Sequence, residues 1–324
     1  MKIAVVGGGV MGAATAWQLQ RRGIDVTLHE QFDVPTHRNG SSHGGSRIFR
    51  FAYEDPYYVR LAQAALVQWR ELEEAAQEPL LDITGGVDHG PAAEIERLHR
   101  ALTDAGAPHE VVPGREAEAR FPGFRFDEQV VVHPDGGRCR ADATVAALHR
   151  LVDDVRYGLR VDLDDLHSLG ADVVVLAVGA WTRLPDTTVT KEQVQHFTPR
   201  DPSATWPSFI HRPDTGIGIY GLETPGEGIK VAQHMVGPVV DPDTRTFDID
   251  DAKTDAVVRY VEEWLPGLDP TPHHQVTCLY TTTPDHHFVL RRDGDVVHVS
   301  PCSGHGFKFA PEIGRLAADL ALAQ

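Results

Sequence analysis

An α/β chain, with a doubly wound parallel sheet into which a mainly antiparallel sheet is inserted, is predicted by three observations. Residues 1–30 run strand, glycine loop, helix, strand; a second strand, glycine loop and helix return near the C-terminus; and from Lys191 to Met235 the chain changes to short alternating segments broken by proline and glycine. The first and second belong to one kind of fold, the third to another, so two domains share the chain.

The N-terminal unit is the most specific. Ile3-Ala4-Val5-Val6 reads as a buried parallel strand and runs into Gly7-Gly8-Gly9-Val10-Met11-Gly12, followed by the helical pattern Ala13, Ala14, Ala16, Leu19 up to Gly23. Gly7 permits a tight turn, Gly9 lets backbone approach a pyrophosphate, and Gly12 lets helix and strand pack closely. The first N–H groups of the helix, at Val10 and Met11, then face the phosphates with the positive end of the helix dipole. A second strand, Ile24 to Glu30, ends in a carboxylate placed to accept from a ribose hydroxyl. Strand, loop, helix and acid together predict a Rossmann-type dinucleotide-binding domain; the loop alone does not separate NAD from FAD.

Composition narrows the partners. The 324 residues carry a formal charge of -17, which opposes binding to nucleic acid or an anionic membrane and means that an anionic substrate needs locally placed cations. Lysine is scarce: Lys2, Lys191, Lys230, Lys253 and Lys308 are all there are, so a lysine in an apolar or glycine-rich context stands out. Cys139, Cys278 and Cys302 are too scattered for a disulfide framework or a zinc site, no apolar run has the length of a membrane span, and the first strand starts at residue 2, which together predict a cytoplasmic protein. The 18 histidines show no ligand spacing, so no metal site is expected.

After Glu30, residues 35–45 read as a loop rich in Asn, Gly, Ser and His. Arg47 and Arg50 stand three apart among apolar residues, a spacing that puts both on one face of a helical turn, with ion pairing as their ordinary use. Helices are predicted over 57–75, 92–105, 141–151, 250–265 and 311–322, and strands over 83–87, 130–132, 172–178, 276–280 and 296–299. The strand ending at Gly179-Ala180-Trp181 delivers backbone to the nucleotide edge of the parallel sheet. Lys230 lies inside a strand of the inserted sheet, where a lysine either snorkels to solvent or is held over a site. Residues 1–85, 130–190 and 285–324 are assigned to the nucleotide domain, and 86–129 with 191–284 to the substrate domain.

With these residues in place the chain resembles monomeric sarcosine oxidase and N-methyltryptophan oxidase, FAD enzymes of the D-amino-acid oxidase-like group. The resemblance rests on Gly7, Gly9, Gly12 and Glu30, on the loop from Asn39 to Arg50, on Gly179-Ala180-Trp181, on Cys278-Leu279-Tyr280-Thr281 and on Ser303-Gly304-His305-Gly306-Phe307-Lys308-Phe309, and it spans nearly the whole chain. It implies FAD as cofactor, joined covalently through Cys278, with no such role for Cys139 or Cys302. It implies that Arg47 lies beside the flavin ring, that Arg50 and Lys308 hold a substrate carboxylate, and that Lys230 activates oxygen near flavin N5. Tyr220, His234 and Tyr280 would line the substrate cavity, and Ser41, His43, Gly179, Trp181, Gly304, His305 and Gly306 would contact the cofactor.

Three departures bear on substrate identity: Ser42 stands where the family has a second histidine beside His43, one residue fewer separates Tyr220 from Lys230, and the stretch from Val155 to Asp172 is short. The expected activity is oxidation of a secondary α-amino acid, N-methylated by preference, to an imine with reduction of O2 to H2O2, by a monomer. A cyclic imino-acid oxidase of the proline or pipecolate type is the alternative within the same chemistry. A flavin-binding subunit without activity and an NAD-dependent dehydrogenase are the readings outside it.

Overall fold

The computed structural model describes residues 1–214, 216–301 and 303–323; Cys302, given no role above, lies outside them. Three sheets organise the chain. The first has six strands in the order Val289–Asp293, Val296–Ser300, Val173–Leu176, Lys2–Val6, Asp25–His29, Val155–Arg156, parallel throughout except where Val289–Asp293 runs antiparallel to its neighbour at one edge. The hydrophobic strand Lys2–Val6 sits at its centre, flanked by Val173–Leu176 and Asp25–His29, and this explains why it reads as unbroken apolar sequence. The return of the chain's end to this sheet makes the C-terminal unit part of the same body as the N-terminal one.

Helix Val10–Gln20 lies against the final helix, Ala310–Leu322, through small side chains. A Cβ on Gly314 would come within 2.6 Å of the Ala14 carbonyl carbon, so only glycine allows this approach. Helix Pro56–Ala76, capped by the Asp55 carboxylate on the Tyr57 N–H, packs against the same final helix and buries Trp69 completely. The Trp69 indole N–H donates to the Lys308 carbonyl at 2.7 Å.

The second sheet has eight strands in the order His274–Thr282, Thr188–Phe197, Gly228–Gln233, Ile219–Thr224, Ser208–His211, Gly86–His89, Gln129–His133, Glu110–Pro113. Every pair is antiparallel except Ser208–His211 with Gly86–His89. A second core fills one side of it, built on Phe124, Phe197, Trp206, Phe209, Val257, Val261 and Leu265. Because Gln129–His133 pairs with Gly86–His89, the boundary expected at residue 130 falls inside a strand of this sheet. The third sheet is small: Arg47–Phe49, Gly137–Cys139 and Leu81–Ile83.

Two local expectations are corrected. Arg47 and Arg50 do not share a helical face: Arg47–Phe49 is a strand paired with Gly137–Cys139, and Arg50 follows its end. Residues 83–87 are not one strand but the meeting of two in different sheets, Leu81–Ile83 and Gly86–His89, with Gly85 at φ +79° turning the chain between them.

Candidate active site

A single cavity of about 1430 Å³ runs between the parallel and the antiparallel sheets. Of the residues singled out in the sequence, Gly7, Gly9, Val10, Met11, Glu30, Ser41, His43, Arg47, Arg50, Gly179, Trp181, Tyr220, Lys230, His234, Cys278, Tyr280, Gly304, His305, Gly306 and Lys308 all line it. Gly12 does not; it lies behind the loop, where an added Cβ would sit 1.8 Å from the Gly7 carbonyl oxygen, while Gly7 itself turns at φ +104°.

At the end lined by the glycine loop, side chains hold the backbone polar groups. The Glu30 carboxylate is buried and accepts from the N–H of Gly8 at 2.9 Å and of Phe32 at 2.9 Å, so it fixes the loop as well as facing the cavity. The His149 ring is bonded to the Gly8 carbonyl at 2.6 Å. Ser42 Oγ accepts from the Val10 N–H at 3.1 Å and so occupies one of the free donors at the start of the helix. Trp181, beyond Gly179, is tied by its indole N–H to Asp243 Oδ1 at 2.7 Å.

The middle of the cavity is cationic. The Arg47 guanidinium donates to three carbonyls, those of Ser46 (2.8 Å), Ser41 (2.8 Å) and His43 (2.6 Å), and this folds the 41–46 loop around it. Lys230 is buried and donates to the Ser46 carbonyl at 2.7 Å; burial and the neighbouring Arg47 charge bring its ammonium down to about 7. Cys278 is buried with its thiol pushed up by desolvation, and its neighbour two residues along, Tyr280, presents its ring to the same space. Ser41 Oγ donates to the Leu279 carbonyl at 2.7 Å and so links the loop to the Cys278 strand. His43 is brought down to about 3 by burial and by Arg47, and its Nε2 is buried with no hydrogen-bond partner among the described residues.

The far end gathers two more cations on one tyrosine. The Arg50 guanidinium lies 4.0 Å and the Lys308 ammonium 5.6 Å from the centre of the Tyr53 ring. Arg50 donates to the Ala52 carbonyl, and Lys308 to the His305 carbonyl at 2.7 Å. Burial and then Arg50 hold Lys308 well below the usual lysine range. His234 faces this group, 3.4 Å from the Tyr280 hydroxyl and edge-on to Tyr220; burial, then Arg50 and Lys308, bring it to about 4, so it is neutral. Burial raises the Tyr220 and Tyr280 hydroxyls, which stay protonated.

Three groups in this region escaped the sequence reading: Tyr53, Arg212 and Asp88. Arg212 lines the cavity and pairs with Asp88 at 3.1 Å, while Arg50 lies 3.7 Å from the same carboxylate. Asp88 is 1% exposed; burial opposes its charge, but the bond from His133 and the charges of Arg212 and Arg50 bring it to about 2. A carboxylate next to Val87 in the short strand Gly86–His89 was the signal available for it.

The residues present fit a bound flavin dinucleotide on two observations: a loop that admits no Cβ at Gly12 backs the helix start, and His43 Nε2 in the cavity wall has no partner among the described residues. Comparisons with known proteins agree. The profile of the FAD dependent oxidoreductase family (DAO) matches residues 2–320. Monomeric sarcosine oxidase of Streptomyces avermitilis is 32% identical over 99% of this chain and 93% of its own, and N-methyl-L-tryptophan oxidase of Yersinia pestis is 27% identical over 98% and 93%. Among solved structures NikD, an unusual amino acid oxidase essential for nikkomycin biosynthesis, has a TM-score of 0.83 at 26% identity, covering 99% of this chain and 93% of that one. The chain belongs to the FAD dependent oxidoreductase family.

Proposed function

We propose that this protein is an FAD-dependent oxidase of a secondary α-amino acid, forming an imine and H2O2. The observation that carries the reading is the convergence of the half-buried Arg50 guanidinium and the buried Lys308 amine on the Tyr53 ring, with Asp88 the only buried carboxylate near them among the described residues; a bound anion restores the charge on Lys308 that burial and Arg50 oppose. Such a surplus of positive charge in a chain of net charge -17 asks for an anion, and a substrate carboxylate supplies it through charge-assisted bonds. The same cations oppose a second positive charge and so favour the neutral amine, the form able to give up a hydride. Neutral His234 and the protonated Tyr220 and Tyr280 line the rest of the space without adding charge.

The flavin, when bound, accepts the hydride and passes two electrons to O2. Gly7, Gly9, Val10, Met11 and Glu30 would hold its nucleotide half, and Ser41, His43, Arg47, Gly179, Trp181, Gly304, His305 and Gly306 the remainder. Cys278 would join it covalently. Arg47 favours negative charge beside the ring, and Lys230, held out of water, stabilises the anion that oxygen becomes on reduction. Residues 86–133 and 191–284, which carry the eight-stranded sheet, form the substrate side of the enzyme, which works as a monomer in the cytoplasm. No helix among the described residues is long and apolar enough to cross a membrane.

Anaerobic mixing with sarcosine, N-methyltryptophan, L-proline, L-pipecolate and a primary amino acid tests the reading. Rapid bleaching of the flavin by the N-methyl compounds is expected. Bleaching by the cyclic compounds alone moves the assignment to a cyclic imino-acid oxidase in a biosynthetic pathway, the second reading; the likeness to NikD, an amino acid oxidase essential for nikkomycin biosynthesis, supports the biosynthetic part of it. Bleaching by none overturns the proposal. Covalent attachment predicts that acid-precipitated protein stays yellow and that Cys278→Ala releases its flavin to the supernatant; colour lost from the wild-type pellet refutes it.

A further inference from the structure

The sheet that holds Lys230 also carries a row of polar side chains with no part in the chemistry so far. His274, His196, Lys230 and Leu222 pair one with the next across four neighbouring strands, so their side chains leave the same face at the same level, and all four line the cavity. The row runs inward from solvent: His274 is exposed, His196 is 1% exposed and Lys230 4%. Glu227, in the turn before the Lys230 strand, lies alongside. Its Oε2 is 3.2 Å from His196 Nε2, and its Oε1 is 2.6 Å from where a Cβ on Gly45 would stand, over the loop whose Ser46 carbonyl receives the Lys230 ammonium. The Glu227 side chain is 37% exposed.

Two features separate this row from ordinary core packing. First, neither ring nitrogen of His196 makes a hydrogen bond among the described residues, although the ring faces a cavity wide enough for bridging water. Burial, then the charges of Lys230, His274 and His273, bring the ring to about 3 against the opposing pull of the His274 backbone, so it is neutral: one nitrogen accepts a proton while the other gives one. Second, Lys230 spends one of its three donors on Ser46. It is faced by Arg47, Cys278, Glu227 and Asp142, and its value near 7 lets it exchange its proton near neutrality. The charges of Lys230 and Arg47 oppose a resident metal ion among these groups; passage of a proton through a neutral imidazole meets no such barrier.

Reduction of O2 to H2O2 takes two electrons and two protons. The hydride removed from the amine carbon accounts for both electrons and one proton. The second proton, matched by the one the amine nitrogen gives up to solvent, has to reach the oxygen through the protein. We propose that His196, with Glu227 and His274, returns protons from solvent to Lys230, which hands the second proton to the reduced oxygen. This rests on the reading of Lys230 as the cation of the oxygen step. His196 touches neither substrate nor oxygen; it is a positioning residue that acts through the protonation of Lys230, with water spanning the gaps and the Glu227 carboxylate steadying the brief imidazolium.

The test uses the FAD-loaded protein, reduced photochemically without any amine and mixed with O2 from about pH 6 to 9. In His196→Ala, reoxidation should slow about 10²-fold at the alkaline end, where Lys230 starts without its proton, and little below its value near 7. Added imidazole should restore the rate, and Glu227→Gln should give a smaller loss with the same pH profile. Independently of turnover, the 15N resonances of the His196 ring should respond as Lys230 titrates, and the response should vanish in Lys230→Met. Unchanged reoxidation in His196→Ala, slowing that is equal at every pH or that imidazole does not relieve, or a His196 ring indifferent to Lys230 overturns the proposal. Should His196→Ala fail to fold, Glu227→Gln and the wild-type resonances decide. Because photochemical reduction needs no substrate, failure of every amine to bleach the flavin would sink the substrate reading and leave this result standing.

Discussion

The two ends of the cavity bind by opposite means. The nucleotide end, on the proposed reading, relies on a glycine loop packed so closely that a side chain at Gly12 has no room, with one carboxylate, Glu30, bonded to the loop it stabilises. The proposed substrate end relies on side-chain charge: Arg50, Lys308 and Arg212 are gathered around Asp88, the single buried carboxylate near them among the described residues. The first is therefore damaged by adding atoms and the second by removing charge. Substitutions at the first should abolish cofactor binding, and substitutions at the second should leave the protein yellow and slow.

The largest effect is expected from Gly12→Val. Its branched side chain collides with the Gly7 carbonyl, and the purified protein should carry less than a tenth of the flavin of the wild type by absorbance. A fully loaded variant would show that the loop is looser than its packing indicates. Lys230→Met comes next: oxygen reoxidation should slow by about 10² to 10³, the scale of losing one preorganised electrostatic group, while anaerobic reduction changes little. Equal slowing of both half-reactions would contradict the division.

Lys230 also sets a pH dependence. In the proposed role the useful form is the ammonium, so the oxygen step should weaken as pH rises through the folded value near 7, and Lys230→Arg should flatten that profile. Its stability contribution has the opposite sense. The folded value is depressed below the unfolded one, so between the two the unfolded chain binds more protons and this group makes stability rise with pH from about 7 upward. Thermal unfolding of the wild type and Lys230→Met across pH 6 to about 9 separates the two. The smallest effect belongs to Arg50→Met, where loss of one charge-assisted bond of roughly 1.5 to 3 kcal/mol lowers kcat/KM about 10- to 150-fold. An unchanged kcat/KM would move the carboxylate to Arg212, the third cation of the group.

The contrast also explains what could be read in advance. The nucleotide loop is local: Lys2 to Glu30 contains strand, turn, helix and acid in one run, and each constrains the next. Cys278 and Lys308 stood out through motifs of similar compactness, and both line the cavity. The Asp88 network was not, because its partners His133 and Arg212 lie 45 and 124 residues away and no spacing rule links them. The same holds for His196 and His274, brought level with Lys230 only by strand pairing across the second sheet. Arg47 and Arg50 show the converse error: helical spacing in a stretch that tertiary pairing turns into a strand. Residues 83–87 failed for a related reason, since one apolar run was divided between two sheets at Gly85.

The indole of Trp69 links the hydrophobic interior to the reaction space. It lies wholly inside the main core, yet its one polar atom grips the carbonyl of Lys308. If Lys308 holds the substrate carboxylate as proposed, thermal robustness and anion recognition are inherited together: a lineage that repacks the long second helix to gain heat tolerance shifts the backbone behind the Lys308 amine as a side effect. Variants selected at Trp69 for melting temperature alone should therefore carry altered affinity for the carboxylate, and selection on turnover should reach back into residues no substrate ever touches.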